Sequence, residues 1–353
     1  MDEQILAAAV EPLCKWYQKN KKHYPWRESR DPYRIWISEV MLQQTRTAAV
    51  LPYYERFLAA FPTVEALAAA EDDRLMKLWE GLGYYSRARN LKKGAMQVME
   101  RFGGTLPRTK AELCTVAGIG SYTAGAIASM AFGEPSSAVD GNVLRVCMRL
   151  LGSDADISKE ATKKELSLAL DAVYPSGEAA ALLTEGLMEL GEVVCIPGGE
   201  ARCALCPLAE LCAAKAGGIT HLLPAKSAKK PRKILPRTLW IFKTPDGRYG
   251  IRKRPKSGLL AGLYEFPAED LPLSETEAKA FLSHRGVRFS SLTPIGEAVH
   301  IFTHLEWHMT GYLVALDAPT EDLIFATGEA LSSTYALPSA FRFFKQLIEK
   351  KEI

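Results

Sequence analysis

The chain has 353 residues, more than one ordinary core needs and enough for two, because domains usually run on the order of 100 to 200 residues. Its 48% hydrophobic and 24% charged residues exclude a disordered or fibrous class. Lys and Arg outnumber Asp and Glu by only 44 to 41, so bulk charge announces no nucleic-acid partner and any basic surface must be local.

The opening MDEQILAAAVEPLCKWYQKNKK places acids first and bases last, the wrong polarity for a secretory signal. No apolar run approaches the roughly 20 residues that cross a bilayer. An intracellular protein, in the cytoplasm or at the nucleoid and without membrane contact, is expected. From Glu3 to about Leu211 apolar residues recur at three and four between Gly and Pro punctuation, which predicts an all-α half.

Within that half, Glu39 is the one acid in the apolar run from Ile35 to Leu42. If the helix is buried, desolvation raises its pKa and makes it a general acid near neutral pH; on an amphipathic helix it would simply face solvent. Further on, Gly118-Ile119-Gly120 forms a turn between two apolar helical segments. Its glycines admit a close backbone neighbour, and the next helix N-terminus offers free amides to an anion such as a phosphate, although a generic helix connection looks the same. Asp140, in SSAVDGNVLRV, stands just before another helical pattern and reads as its N-cap. Backbone amides and the helix dipole are expected to keep that carboxylate ionised, where it could stabilise a developing cationic sugar. One acid pushed up and one pushed down is the pattern of an acid and stabiliser pair at a glycosidic bond.

Seven cysteines is an odd count in a chain expected to be reduced, so clustered ones read first as metal ligands. Cys195, Cys203, Cys206 and Cys212 lie in CIPGGEARCALCPLAELC with seven, two and five residues between them. Four thiolates in so short a loop suit zinc or an iron-sulfur cluster, and spacing alone does not choose. Cys14, Cys114 and Cys147 sit singly in helical patterns and are expected as small buried hydrophobes.

Residues 220–236, THLLPAKSAKKPRKILP, are polar, basic and Pro-interrupted, and read as a linker that tethers or touches phosphates. Beyond it TLWIFK and YGIRKR flank the turn TPDG, and AVHIFTHLEWHMTGYLVAL has strand-like content. SETEAKAFLSHRG and PSAFRFFKQLIEKK read as helices, so residues 237–353 are expected to form an α+β domain after an all-α domain over 1–219.

The GIG hairpin, the aspartate in VDGNVLRV and the four-cysteine loop together resemble the helix-hairpin-helix DNA glycosylases. PWRESRDPYRIWISEVMLQQT, GLGYYSRARNL, AGIGSYTAGAI, VDGNV and GLLAGLYEFP are similar to the signature segments of their MutY branch. The resemblance covers nearly the whole chain. It implies a [4Fe-4S] cluster on the cysteines, an enzyme of base-excision repair, and double-stranded DNA with adenine opposite 8-oxoguanine or guanine as the partner of a monomer. Glu39 would protonate the adenine ring and later assist water, Asp140 would stabilise the oxocarbenium-like sugar, and Tyr122 and Asn142 would support them. Trp26, Arg27, Leu42 and Glu185 would line the pocket for the extruded base, extrusion being required because the leaving group cannot be engaged inside the stack. Gln44 and Tyr84 would wedge into the duplex, and Gly118 and Gly120 would hold its backbone.

Relatives of endonuclease III carry at the position of Tyr122 a lysine that forms a Schiff base and cuts the strand. Without that amine, a monofunctional enzyme that leaves an abasic site is expected. The C-terminal half resembles a Nudix-like module in which Phe302, Thr303 and His304 stand where the family has Phe-Ser-His reading the oxidised base. Thr303 keeps the hydroxyl but adds a methyl. Two other departures are the first cysteine gap, seven where six is usual, and Ala117 in place of a proline before the turn. A glycosylase for altered pyrimidines and a DNA-binding scaffold without activity share the hairpin and loop, but Tyr122 and VDGNV argue against the first and intact carboxylates against the second. A nucleotide hydrolase would need the dense Arg-Glu-Glu cluster that the sequence after GLYEFP lacks.

Overall fold

Acidic and hydroxyl caps start several helices, and the apolar spacing decides which side each buries. Asp2 caps α1 (Glu3–Asn20), accepting from the Gln4 amide at 2.9 Å, and Leu6, Ala9, Leu13 and Tyr17 recur at three and four as its buried stripe. The computed structural model describes residues 1–198, 200–228 and 231–353, which fall into two units, residues 1–70 with 89–228 and residues 71–88 with 229–353.

In the first unit follow α2 (Pro32–Leu42), α3 (Thr47–Ala60) and α4 (Val64–Ala68). Across residues 71–88 lie α5 (Asp72–Trp79) and the start of α6 (Ser86–Phe102). Then come α7 (Lys110–Leu113), α8 (Ser121–Phe132), α9 (Gly141–Leu151), α10 (Glu160–Val173), α11 (Glu178–Val193) and the short α12 (Ala213–Ala216). Helix α1 packs on α10 and α11, while α8 and α9 both pack on α11, so α11 is the spine of this unit. Between α9, α10 and α11 the core gathers Val143, Cys147, Leu166, Leu170, Leu183 and Leu187. Of the isolated cysteines, Cys147 is buried and Cys14 half-buried as expected, but Cys114 is exposed, because it falls at the C-cap of the four-residue α7 rather than on a core face.

The second unit is a mixed sheet in the order β3-β2-β1-β6-β5, made of β1 (Lys233–Lys243), β2 (Tyr249–Lys253), β3 (Tyr264–Glu265), β4 (Ala268–Glu269), β5 (Phe289–Ile301), β6 (Leu305–Leu316) and β7 (Ile324–Ala326). Here β4 pairs with β1 and β7 with β2. Strand alternation divides the residues of β1: Leu239 and Ile241 join the core under α14 (Gly328–Ser333) and α15 (Arg342–Glu349), while Trp240 and Phe242 join the one under α13 (Glu275–His284). Strand β1 begins at Lys233, inside the segment read as linker, because Lys233–Lys243 pairs in parallel with Leu305–Ala315 of β6, a long-range register with no local signal. Of the linker bases, Lys229 and Lys230 lie outside the described residues. Upstream, the Ile157 amide donates to Ala225 O at 3.1 Å and the Ser227 amide to Asp156 at 3.3 Å, so that end of the segment lies on the helical unit.

Leu13 is fully buried between α1 and its neighbours. Leu13→Ala should lower the stability of the helical unit by about 2 to 5 kcal/mol, seen as a lower denaturant midpoint with an unchanged slope.

Candidate active site

Helix α2 is opened by Asp31, which accepts from the amides of Tyr33 (2.9 Å) and Arg34 (3.4 Å), with Pro32 in the first turn. Every residue from Ile35 to Met41 is buried, so the helix has no solvent face there and Glu39, 4% exposed, is held inside. The carboxylate accepts a 2.6 Å hydrogen bond from the Tyr122 hydroxyl on α8. Burial pushes its pKa up to about 7; the Tyr122 bond and Arg27 oppose the rise, and the negative charges of Asp140 and Glu185 add to it.

The hairpin places Tyr122. Gly118 has φ +80°, a conformation that glycine adopts freely, and a Cβ there would lie 2.7 Å from Asn90 Cβ. Gly120 is the N-cap of α8, and a Cβ there would meet nothing within 4 Å, so its backbone lies open. In the first turn of α8, Tyr122 points inward to Glu39.

Asp140 is the N-cap of α9. Its Oδ1 accepts from the Asn142 and Val143 amides at 2.9 and 2.8 Å, and its Oδ2 accepts from Asn142 Nδ2 at 3.0 Å. The cap is as expected, but the direction of the pKa shift is not. Burial raises the carboxyl above the ordinary aspartate range, against the pull of these bonds and of Arg145. Local sequence displays the cap donors; it does not display the desolvation that a shared cavity imposes. The two acids therefore differ in how they are bonded, not in the sign of their shifts.

Both carboxylates line one cavity of about 520 Å³, a size ordinary for small-molecule sites. Its wall includes Trp26, Arg27, Leu42, Tyr122, Asn142 and Glu185, each named from sequence. Trp26 stacks on Tyr24 (5.0 Å, 9°), and Arg27 donates to Glu189 at 2.6 Å while covering the Tyr17 and Tyr24 rings at 5.5 and 5.0 Å. Glu185 pairs with Arg30 at 3.2 Å, and burial raises its pKa. Gln44 and Tyr84 line no part of this cavity. Both are exposed and both take left-handed backbone, φ +59° and +45°, which is rare for such residues.

Sequence reading missed Arg145. From α9 it donates to Asn142 Oδ1 (2.9 Å), Gly191 O (2.7 Å) and Cys195 O (2.7 Å), joining the partner of Asp140 to the cysteine loop. Its spacing of three from Asn142, on one helix face, was the available signal. Cys195, Cys203, Cys206 and Cys212 line one small cavity walled by Val146, Leu190 and Leu208. Arg149 Nη1 lies 3.3 Å from Cys195 Sγ, a cation beside a sulfur that would carry charge as a thiolate ligand. Among the described residues no three metal-binding side chains close on a single-ion site.

In the second unit, Phe302, Thr303 and His304 form the tip between β5 and β6. Phe302 meets His300 and Trp307 edge to face at 4.5 and 4.8 Å, and Thr303 and His304 are exposed. The Tyr84 hydroxyl lies 3.0 Å from Thr303 Oγ1.

Residues 37–171 match the family model of the HhH-GPD superfamily base excision DNA repair protein, and residues 238–347 match that of the NUDIX domain. Adenine DNA glycosylase of Homo sapiens is 34% identical over 87% of this chain and 67% of its own length, and that of Mus musculus is 33% identical over 89% and 75%. The same enzyme of Buchnera aphidicola subsp. Acyrthosiphon pisum is 29% identical over 86% and 85%. Among solved structures, a thermostable thymine-DNA glycosylase has a TM-score of 0.55 at 26% identity over 61% of this chain and 98% of that one. Endonuclease III, in a non-covalent complex with DNA, has a TM-score of 0.52 at 25% identity over 62% and 99%. The helical unit, with its hairpin and its paired carboxylates, is thus that of a base-excision DNA glycosylase, joined to a Nudix-like domain. Within that class the chain belongs to the adenine DNA glycosylase family, enzymes that remove adenine in base-excision repair.

The raised pKa of Glu39 is also a statement about stability. Its folded value of about 7 lies above the ordinary 4.5, so the fold loses stability as pH rises between them, up to about 3 kcal/mol at 1.36 kcal/mol per tenfold change in proton affinity. Glu39→Gln should therefore raise the melting temperature at pH 8 and change it little at pH 4.5, as read by calorimetry at the two pH values.

Proposed function

We propose that this enzyme hydrolyses the N-glycosidic bond of adenine mispaired with 8-oxoguanine, and also with guanine, in duplex DNA, leaving an abasic site. The observation that carries the reading is the pair of carboxylates on one cavity, Glu39 bonded by a single hydroxyl and titrating near 7, Asp140 bonded by three N–H groups. Protonated Glu39 gives its proton to a ring nitrogen of the extruded adenine, and the C1′–N bond breaks with its electron pair passing to the base. Asp140 stands against the cationic sugar, and water then adds at C1′ while the Glu39 carboxylate takes its proton. Trp26, Arg27, Leu42 and Glu185 hold the base, Tyr122 and Asn142 orient the two acids, and Gly118 and Gly120 approach the duplex backbone. Because Tyr122 offers no amine, and no lysine lines the cavity among the described residues, base removal ends the reaction without a Schiff base.

Phe302, Thr303 and His304 read the oxidised base, with Tyr84 and Gln44 wedged into the stack. Support comes from the exposed Thr303 and His304, from the Tyr84 to Thr303 contact, and from the left-handed backbone that projects both wedges. A protein that works on duplex DNA as a monomer belongs where the genome is, inside the cell. The four cysteines fit a [4Fe-4S] cluster: all four line one cavity with apolar walls, and Arg149 lies beside one of them. Such a cluster would brace the loop and, through Arg145, the start of α9.

Single-turnover assays with adenine opposite 8-oxoguanine, guanine and thymine test the reading. Release is expected from the first two, and none from the first would end the assignment. Glu39→Gln should bind that duplex and lose at least about 10²-fold in rate, the lower end of what a general acid supplies. A visible charge-transfer band that vanishes on oxidation, with iron near four per chain by elemental analysis, is expected of the purified protein. Stoichiometric zinc without that band would replace the cluster by a zinc site.

A further inference from the structure

The backbone that carries Asp140 and Asn142 is gripped on both sides by glycines of neighbouring helices. On α8, a Cβ at Gly125 would lie 2.0 Å from Ser137 O and 2.8 Å from Ser137 C. On α11, a Cβ at Gly191 would lie 2.6 Å from Asn142 Cβ and 3.3 Å from its Cα. At Gly125 the obstacle is main chain, so no rotamer change relieves it. Ser137 is also fixed from outside: its amide donates to Asp171 at 2.6 Å, its carbonyl accepts from Lys110 Nζ at 3.0 Å, and its hydroxyl meets that of Ser167 at 3.0 Å. The segment thus sits in a slot with one polar wall and one wall of bare helix backbone.

The position of Gly125 on its helix gives the slot a catalytic meaning. Tyr122 and Gly125 are three residues apart and so share a face of α8. The same face that presents the hydroxyl to Glu39 is the surface on which the approach to Asp140 rests. We propose that Gly125 and Gly191 are positioning residues that set the distance of Asp140 from Glu39 by letting the Ser137–Asn142 backbone seat against α8 and α11. The proposal rests on the reading of Glu39 and Asp140 as acid and stabiliser. A methyl at Gly125 pushes the segment away from α8, and relief to a 3.0 Å contact requires about 1 Å of movement. Misplacement by that amount is worth on the order of 10²-fold in rate. At Gly191 the overlap is smaller and falls partly on a side chain, so the loss there is smaller, on the order of tenfold.

The test compares Gly125→Ala, Gly191→Ala and Glu39→Gln with the unaltered full chain on the duplex with adenine opposite 8-oxoguanine. Expected are single-turnover rate constants lower by about 10²-fold for Gly125→Ala and about tenfold for Gly191→Ala, with duplex affinity and reaction amplitude within about twofold. A second readout is the pH profile. The groups that act on Glu39 are Asp140 and Glu185, which raise its pKa, and Tyr122 and Arg27, which lower it. With Asp140 moved off, the midpoint should fall below its starting value near 7, whereas partial unfolding lowers amplitude at every pH and moves no midpoint. Rate constants within threefold of the unaltered enzyme, or loss confined to amplitude and melting, overturn the proposal. If Gly125→Ala does not fold, Gly191→Ala decides by the same criteria. Full activity in Glu39→Gln overturns the underlying reading instead, so the two failures are distinguishable.

Discussion

The structure depends on placing two carboxyl groups in one cavity out of water. Each would be charged in solvent at neutral pH, and desolvation and mutual repulsion both resist that here. The protein meets the conflict unequally. Asp140 is given three N–H donors by the turn that starts α9, whereas Glu39 is given one hydroxyl. Burial raises both carboxyls, and it lifts Glu39, with its single donor, to about 7, while three donors oppose the rise at Asp140. The difference in bonding follows from the turn that starts α9 rather than from a difference between aspartate and glutamate.

Helix α9 carries this arrangement across the unit. Its N-terminus is the cap that holds Asp140, Arg145 bonds both Asn142 and the carbonyl of Cys195, and Arg149 reaches Cys195 Sγ and the Ile196 carbonyl at 3.0 Å. Two buried arginines on an apolar helix are expensive unless paired, and here their partners include the Cys195 and Ile196 carbonyls of the cysteine loop. Through α9 the cysteine loop is thereby bonded to the turn that holds Asp140.

What could be read from the residues, and what could not, divides along the range of the interactions. Glu39, Asp140, the cap, the hairpin and the strand pair around TPDG rest on local patterns, and the structure has each of them. Trp26, Arg27, Leu42, Tyr122, Asn142 and Glu185 come from four separate segments, and only the resemblance of whole motifs placed them together. Long-range facts stayed hidden. The start of β1 at Lys233 is set by parallel pairing with β6, the grouping of residues 71–88 with 229–353 by tertiary packing, and the upward shift of Asp140 by burial that no cap signature encodes. Arg145 was within reach, three residues from Asn142, but a charge on an apolar helix reads as solvent-facing until its partners are known.

Tyr122 shows how far one side chain limits the chemistry. At 2.6 Å from Glu39, whatever stands there is the main polar neighbour of the acid. A lysine would bring a positive charge to that distance, favour the ionised carboxylate and pull its pKa back toward the ordinary range, leaving no proton to deliver at neutral pH. The phenol opposes the rise with one hydrogen bond and no charge, so desolvation prevails and the proton is retained. The side chain that lacks an amine for covalent attack on a sugar also leaves the proton affinity of Glu39 high, as the proposed acid requires. On the proposed reading, protonating a leaving base and forming a Schiff base are alternatives at this position, and a phenol there favours the first.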